Sequence, residues 1–203
     1  ILANFVEVFL AKEGHKGLVG INFLEKIQIP TLPSLLGAML ARVDFVLMGA
    51  GIPLAIPGAL DGLSRGETVE LRIHVDENTE NRGFSHSFNP TEFCPGKLPK
   101  LKRPRFLAII SSDIIAKIMV HKATGYVDGF VVEYHTAGGH NAPPRKAKAV
   151  DGDSSPRFGP RDIPNLERIK DLGRPFWLAG GYASPAKLKE ALDAGAKGIQ
   201  VGT

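Results

Sequence analysis

Glycine-containing turns follow three short apolar runs in the second half of the chain. Glycine lets the backbone approach a ligand closely and adopt positive φ, and a neighbouring hydroxyl can donate a further hydrogen bond. One such turn is commonly an ordinary strand-to-helix connection, but three that follow strands of one type indicate a phosphate-binding rim. The candidate residues are Gly138 and Gly139, Gly180 and Gly181, and Gly202 and Thr203.

A histidine ends the first of these turns, in the run Ala137-Gly138-Gly139-His140. An imidazole with a pKa near neutrality can accept or hold a substrate proton. Most loop histidines are structural or solvated, but His140 has the predicted rim around it, and we therefore predict that it is catalytic. His135, two residues after Glu133, either faces the same pocket or caps the strand end.

The same residues restrict the choice of cofactor. The single Cys94 excludes an intrachain disulfide and a cysteine-rich metal cluster. Neither an acidic metal cluster nor a lysine Schiff-base motif is evident, so FMN is favoured over pyridoxal phosphate or a divalent ion, and we predict no metal site. Asn22 lies in the apolar run 18–23, where an unpaired amide would cost a few kcal/mol. Its partner is either a flavin ring edge or a backbone group.

Short apolar runs alternate with helical patterns along most of the chain. Continuous apolar strands with helices between them are typical of a parallel sheet covered on its faces, and no G-x-G-x-x-G follows the first strand to indicate a dinucleotide-binding sheet. We predict an α/β fold, a (β/α)8 TIM barrel with about six of its eight strands visible. The predicted strands lie near residues 18–23, 43–48, 106–110, 128–133, 176–179 and 198–201.

The predicted helices and a β excursion complete this organisation. Helical patterns cover residues 4–13, 34–42 and 114–122, and the best specified helix runs from 184 to 194, with Ser184 as its N-cap and Leu188, Ala191 and Leu192 on one face. Between residues 67 and 95 the period changes to alternation, which predicts a small hairpin outside the barrel, formed by 69–75 and 84–88.

Composition excludes several other classes of protein. With 203 residues and 43% hydrophobic residues, one domain spanning residues 1–203 can form without disulfides, and both of its ends look truncated.

The net charge is +4, but the basic run 97–105 lacks interleaved aromatic residues, so we predict a solvated loop and no nucleic-acid partner. The longest uncharged stretch, 45–60, is too short and too rich in proline to span a membrane. We expect a cytoplasmic protein.

Two stretches carry a family resemblance. VDGFVVEYHTAGGHNAPPR, at 127–145, and PFWLAGGYASPAKLKEALDAGAKGIQVGT, at 175–203, resemble the nitronate monooxygenases, formerly called 2-nitropropane dioxygenases. The likeness extends through GINFLEK and VDFVLMGAGIP and is weakest across 67–101. It implies an FMN-dependent (β/α)8 barrel that oxidises alkyl nitronates with O2, giving a carbonyl compound and nitrite, without a metal.

The resemblance also implies roles for individual residues. His140 matches the catalytic histidine of the family, and Asn22 and Glu133 lie where flavin contacts occur. Gly138, Gly139, Gly180, Gly181, Gly202 and Thr203 match the phosphate-binding turns.

The sequence departs from the family pattern in two respects. Members usually begin with one or two further strand and helix pairs, and Tyr134-His135 stands where glycine and a small residue or proline are expected, which predicts a narrower pocket. Two alternatives stay open: a flavin-dependent enoyl-acyl-carrier-protein reductase that uses NADH, and an inactive, truncated flavin-binding fragment.

Overall fold

The computed structural model describes residues 1–75, 83–94, 96–138, 142–144 and 157–202. The chain forms two compact units. The first contains Ile1–Phe106 and Lys122–Val127, and the second contains Leu107–His121 and Asp128–Thr203.

The first unit is built on two parallel strands and three helices. β1 (Gly20–Leu24) pairs with β2 (Phe45–Gly49), with Gly20 opposite Phe45 and Leu24 opposite Gly49. The helices are α1 (Leu2–Ala11), α2 (Thr31–Leu40) and α3 (Ile56–Arg65). Fully buried leucines of α2 and α3 form the centre of this core, among them Leu32, Leu35, Leu60 and Leu63.

Close approach of α1 to α2 depends on a glycine. A Cβ on Gly37 would lie 2.1 Å from the carbonyl oxygen of Ile1, so no larger residue fits there without moving one helix. α2 corresponds to the helix predicted over 34–42, but it begins earlier, at Thr31. The Thr31 hydroxyl donates to the carbonyl of Ile27 at 2.6 Å.

An antiparallel hairpin interrupts the alternation of strands and helices, as predicted for residues 67–95. β3 (Val69–Ile73) pairs with β4 (Phe84–Phe88), with Val69 opposite Phe88 and Ile73 opposite Phe84. Val69, Leu71 and Phe88 are buried, whereas Glu70 and Arg72 are exposed. One face of the hairpin is therefore packed and the other is solvated, as expected when successive side chains of a strand point to opposite faces.

The second unit contains most of the remaining strands, all parallel. β5 (Arg105–Ile110) begins in the first unit, where the N–H of Arg105 donates to the carbonyl of Asp44 at 3.0 Å. It is followed by α4 (Asp113–Lys122), β6 (Gly129–Glu133), α5 (Leu166–Lys170), β7 (Phe176–Ala179), α6 (Pro185–Asp193) and β8 (Ile199–Gln200). β5 pairs with β6, β6 with β7, and β7 with β8. The six predicted strands therefore exist, with ends shifted by one or two residues.

α6 has the N-cap that the sequence predicted. Ser184 Oγ accepts a hydrogen bond from the N–H of Lys187 at 3.3 Å, and Pro185 occupies the first turn, where its missing N–H costs nothing. Of the predicted apolar face, Ala191 is buried, but Leu188 and Leu192 are 37% and 50% exposed.

α3 was not predicted, although the sequence contains signals for it. Pro57 lies in its first turn and Gly66 ends it with a φ of +75°, an arrangement that is typical of helix termini. Among the described residues, no helix combines the length and apolarity needed to cross a membrane.

Candidate functional site

A cavity with a volume of about 350 Å³ lies at the carboxyl ends of β6, β7 and β8 in the second unit. Parallel register makes these ends level, because Glu133 lies opposite Ala179 and Ala179 opposite Gln200. The cavity brings together five residues predicted from the sequence, namely Glu133, Gly138, Gly180, Gly181 and Gly202. Gly139, His140 and Thr203 were also predicted, and they lie outside the described residues.

The Gly180-Gly181 turn has a backbone that requires glycine. Gly180 has a φ of +101° and Gly181 a φ of +79°, values that side-chain-bearing residues rarely adopt. A Cβ on Gly180 would also lie 3.0 Å from the Ala137 nitrogen, from Thr136 Oγ1 and from Tyr134 Cβ. Positive φ, which the sequence only suggested, is therefore present at both positions.

Hydrogen bonds join this turn to the loop after β6. The Thr136 hydroxyl donates to the carbonyl of Gly180 at 2.9 Å, the Tyr134 N–H donates to the carbonyl of Ala179 at 3.0 Å, and the Ala137 N–H donates to the carbonyl of Tyr134 at 2.9 Å. The loops after β6 and β7 thus form one connected rim, which fixes the positions of the glycines at the cavity.

Tyr182 is a cavity residue that the sequence analysis missed. It directly follows the glycine pair, lines the cavity and is 8% exposed. Its ring packs against that of Tyr134, with the two centroids 5.8 Å apart. Burial raises the pKa of both phenols, so both are protonated at neutral pH. The bulk predicted at Tyr134 is present, but Tyr182 is the tyrosine that lines the cavity.

His135 is engaged by an aromatic neighbour. Its ring stacks on Phe158 with the centroids 4.6 Å apart and the planes 16° from parallel. Phe158 lines a second cavity of about 310 Å³, which is formed by residues 157–162. His135 does not line the cavity at the ends of β6, β7 and β8.

Asn22 lies on β1 in the first unit, opposite Leu47. Its side chain is exposed, although the apolar run around it suggested burial. Among the described residues β1 pairs only with β2, and an exposed amide on such a strand is hydrated and pays no desolvation cost. A flavin contact by Asn22 stays a prediction.

A carboxyl group lies at the ends of β1 and β2 in the first unit. The N–H of Glu25 donates to the carbonyl of Gly49 at 2.8 Å. Gly51, with a φ of +149°, approaches so closely that a Cβ there would lie 2.0 Å from Glu25 Oε2. Burial raises the pKa of Glu25, and His74 opposes this shift. This packing was not predicted from the sequence.

We expect Glu25→Gln to stabilise the protein at neutral pH and not in acid. The folded state binds the Glu25 proton more tightly than the unfolded state, because its pKa is raised from the ordinary 4.5. The stability that the protonated Glu25 contributes is complete below about pH 4.5 and is lost as pH rises through the folded-state pKa. Glutamine cannot ionise, so the variant avoids this loss. Urea unfolding at about pH 4 and about pH 8 measures the difference between wild type and variant.

The exposed Glu70 on β3 provides the matched control. Glu70→Gln should not stabilise the protein at neutral pH, because a hydrated side chain pays no desolvation cost. A stability difference between wild type and Glu25→Gln that does not change with pH would contradict the role assigned to burial of this carboxyl group.

Metal ligands are not assembled in the part of the chain that the structure describes. No group of three or more histidine, cysteine, aspartate or glutamate residues there could hold a metal ion. The cavity at the ends of β6, β7 and β8 is lined mostly by glycine and by residues with neutral side chains.

Comparisons with known proteins bear on the fold. No protein-family model matches the chain, and no curated protein matches it. Among solved structures, FabK from Thermotoga maritima matches with a TM-score of 0.52 and 17% sequence identity over 98% of this chain. The chain spans 45% of the length of that FabK chain. The likeness confirms the predicted fold class: the chain has an α/β fold that corresponds to part of a TIM barrel.

Proposed function

We propose that this chain belongs to an FMN-dependent oxidoreductase that oxidises alkyl nitronates with O2 to a carbonyl compound and nitrite. One observation carries the proposal: glycine turns after three successive parallel strands, β6, β7 and β8, line a single cavity. Active sites of (β/α)8 barrels lie at this end of the strands, and turns after the last strands commonly hold a phosphate. The family resemblance of these turns supports FMN and a nitronate as the ligands.

The described glycines fit the phosphate of FMN. Apart from their chain neighbours, no atom of the described residues lies within 4 Å of the position that a Cβ would occupy on Gly138 or Gly202, which suits close approach of a ligand to the backbone. Gly180 and Gly181 both have positive φ, as in the tight backbone turns whose successive N–H groups bind phosphate oxygens. When bound, FMN supplies the electron transfer to O2.

The residues of the chain orient the substrate and handle its proton. His140 follows Gly139 directly, and we propose that its imidazole hydrogen-bonds the anionic nitro oxygens or accepts the α-proton of a nitroalkane.

Replacing His140 by alanine tests the assignment. We expect His140→Ala to lower kcat/KM for nitronate-dependent oxygen uptake by about 10²–10⁴-fold, the usual contribution of a general acid or base, while the visible spectrum of bound FMN is retained. Oxygen uptake and nitrite release by the full-length protein measure the effect. His121→Ala on the exposed surface of α4 is the matched control and should keep wild-type activity.

Three results would contradict the proposal. FMN binding without nitronate-dependent oxygen uptake excludes the activity. NADH oxidation with an enoyl thioester and no nitronate activity identifies the reductase alternative instead. A full-length protein that binds no flavin excludes both flavin-dependent activities.

A further inference from the structure

A side-chain hydrogen bond links the loop after β6 to the glycine turn after β7. The Thr136 hydroxyl donates to the carbonyl oxygen of Gly180 at 2.9 Å. The same hydroxyl oxygen lies 3.7 Å from the position that a Cβ would occupy on Gly181. Thr136 itself does not line the cavity, whereas Gly180 and Gly181 both do. The Gly180 carbonyl is therefore directed towards a residue outside the cavity lining.

This bond also sets the direction of a neighbouring N–H group. The peptide bond between Gly180 and Gly181 is planar and trans. In a trans peptide the C=O and N–H bonds point in opposite directions. Because Thr136 holds the Gly180 oxygen, the Gly181 N–H points away from Thr136.

Gly181 is accessible to a ligand, and its N–H has no backbone partner among the described residues. A glycine has only backbone atoms, so backbone atoms form its part of the cavity lining. Backbone N–H groups in turns of positive φ are typical donors to anions, and Gly181 has a φ of +79°. The Gly181 N–H is therefore a suitable donor to an anionic ligand.

The glycine pair makes this orientation of the peptide easy to lose. Turning the peptide over changes ψ of Gly180 and φ of Gly181, and glycine adopts positive and negative φ about equally readily. The reversed peptide would present a carbonyl oxygen where the N–H now stands, and a carbonyl oxygen repels an anion. The Thr136 hydroxyl opposes this reversal, because it would lose its acceptor.

The backbone on both sides of Thr136 is anchored independently of its side chain. The Tyr134 N–H donates to the carbonyl of Ala179 at 3.0 Å, and the Ala137 N–H donates to the carbonyl of Tyr134 at 2.9 Å. Removal of the Thr136 hydroxyl should therefore leave the loop after β6 in place and release only the peptide of the glycine turn.

We propose that Thr136 is a positioning residue, which fixes the peptide between Gly180 and Gly181 so that the Gly181 N–H donates to the phosphate of FMN. The inference rests on the proposed function, since the phosphate is that of FMN. Thr136 acts through the peptide that it holds and not by touching the ligand.

The test compares FMN with riboflavin, which lacks the phosphate, as ligands of the full-length protein. Dissociation constants are measured by flavin fluorescence for wild type, Thr136→Val and Thr136→Ser. Valine has the shape of threonine without the hydroxyl, whereas serine keeps the hydroxyl.

Loss of one hydrogen bond shifts the balance between the two peptide orientations about fivefold, which lowers the fraction of protein in the binding orientation. We therefore expect Thr136→Val to weaken FMN binding about threefold and to leave riboflavin binding unchanged. Thr136→Ser should bind both flavins as wild type does.

Thr68→Val, at an exposed threonine of the first unit, is the matched control and should also bind both flavins as wild type does. Equal loss of FMN and riboflavin affinity in Thr136→Val would overturn the inference, because the whole loop rather than one peptide would then have changed. Unchanged FMN affinity would overturn it too, as would an equal loss in Thr136→Ser. Wild-type protein that binds neither flavin would instead remove the proposed function, and the inference with it.

Folding of the variants is checked by urea unfolding. Should Thr136→Val fail to fold, Thr136→Ala also lacks the hydroxyl and decides the matter by the same comparison. Selective loss of FMN affinity in the alanine variant supports the role of Thr136, and loss of neither or of both affinities contradicts it.

Discussion

Gly180→Ala is expected to destabilise the protein by about 3 kcal/mol and to weaken FMN binding by at least about tenfold. An alanine at a φ of +101° costs roughly 1–3 kcal/mol in backbone strain. Its Cβ would also lie 3.0 Å from the Ala137 nitrogen, a backbone atom next to Thr136, whose hydroxyl donates to the Gly180 carbonyl. For a domain of this size the melting temperature should fall by about 6–12 °C.

Two other glycines of the rim separate the causes of this effect. An alanine at position 181 would also have a positive φ, +79°, but the atom nearest to its Cβ would be Thr136 Oγ1, at 3.7 Å. We therefore expect Gly181→Ala to destabilise the protein by about 1 kcal/mol, from backbone strain alone. Gly202 has no positive φ, and among the described residues no atom other than those of its chain neighbours lies within 4 Å of its Cβ position, so Gly202→Ala should stay within about 0.5 kcal/mol of wild-type stability.

Thermal unfolding and flavin fluorescence measure stability and binding in all three variants. The expected order of destabilisation is Gly180, then Gly181, then Gly202. Equal stability of the Gly180 and Gly202 variants would show that neither the positive φ nor the contact with the β6 loop constrains the rim.

Strand positions and glycine turns were predictable from the sequence because both depend on local pattern. Short apolar runs bounded by glycine predicted all six parallel strands, and the hairpin followed from alternation at Val69 and Leu71. Turns that end successive parallel strands must lie at one edge of a sheet, so Gly138, Gly180 and Gly202 could be grouped before any coordinates were known.

Contacts between distant parts of the chain were not predictable in this way. The packing of Tyr182 on Tyr134 and the close approach of Gly51 to Glu25 depend on how loops meet across neighbouring strands. Asn22 illustrates the same limit, since its apolar run suggested burial although its strand leaves that side chain exposed. Local pattern identifies a strand, but its neighbours decide which of its residues are buried.

The prediction of a solvated loop at 97–105 is correct for its lysines and incomplete for Arg103. Lys97, Lys100 and Lys102 are exposed, as expected of a solvated loop. Arg103 differs, because its side chain pairs with Asp61 on α3. That partner could not be anticipated, since α3 itself was not predicted from the sequence.

Arg103 connects three segments of the first unit. Its Nε donates to Asp61 Oδ1, its Nη1 to the carbonyl of Pro104 at 2.9 Å, and its Nη2 to the carbonyl of Tyr126. The side chains of Arg103 and Asp61 are only 21% and 30% exposed, so water replaces these bonds poorly when one partner is removed.

We therefore expect Arg103→Met to lower the free energy of unfolding by about 2–3 kcal/mol, somewhat less than the loss of a fully buried pair. Arg65→Met is the matched control, because Arg65 pairs with Glu67 where both side chains are more than half exposed, at 57% and 53%. Exposed pairs contribute about 0–1 kcal/mol and weaken with salt. Urea unfolding at low and high salt distinguishes the two, and equal losses in both variants would mean that Arg103 acts as an ordinary surface charge.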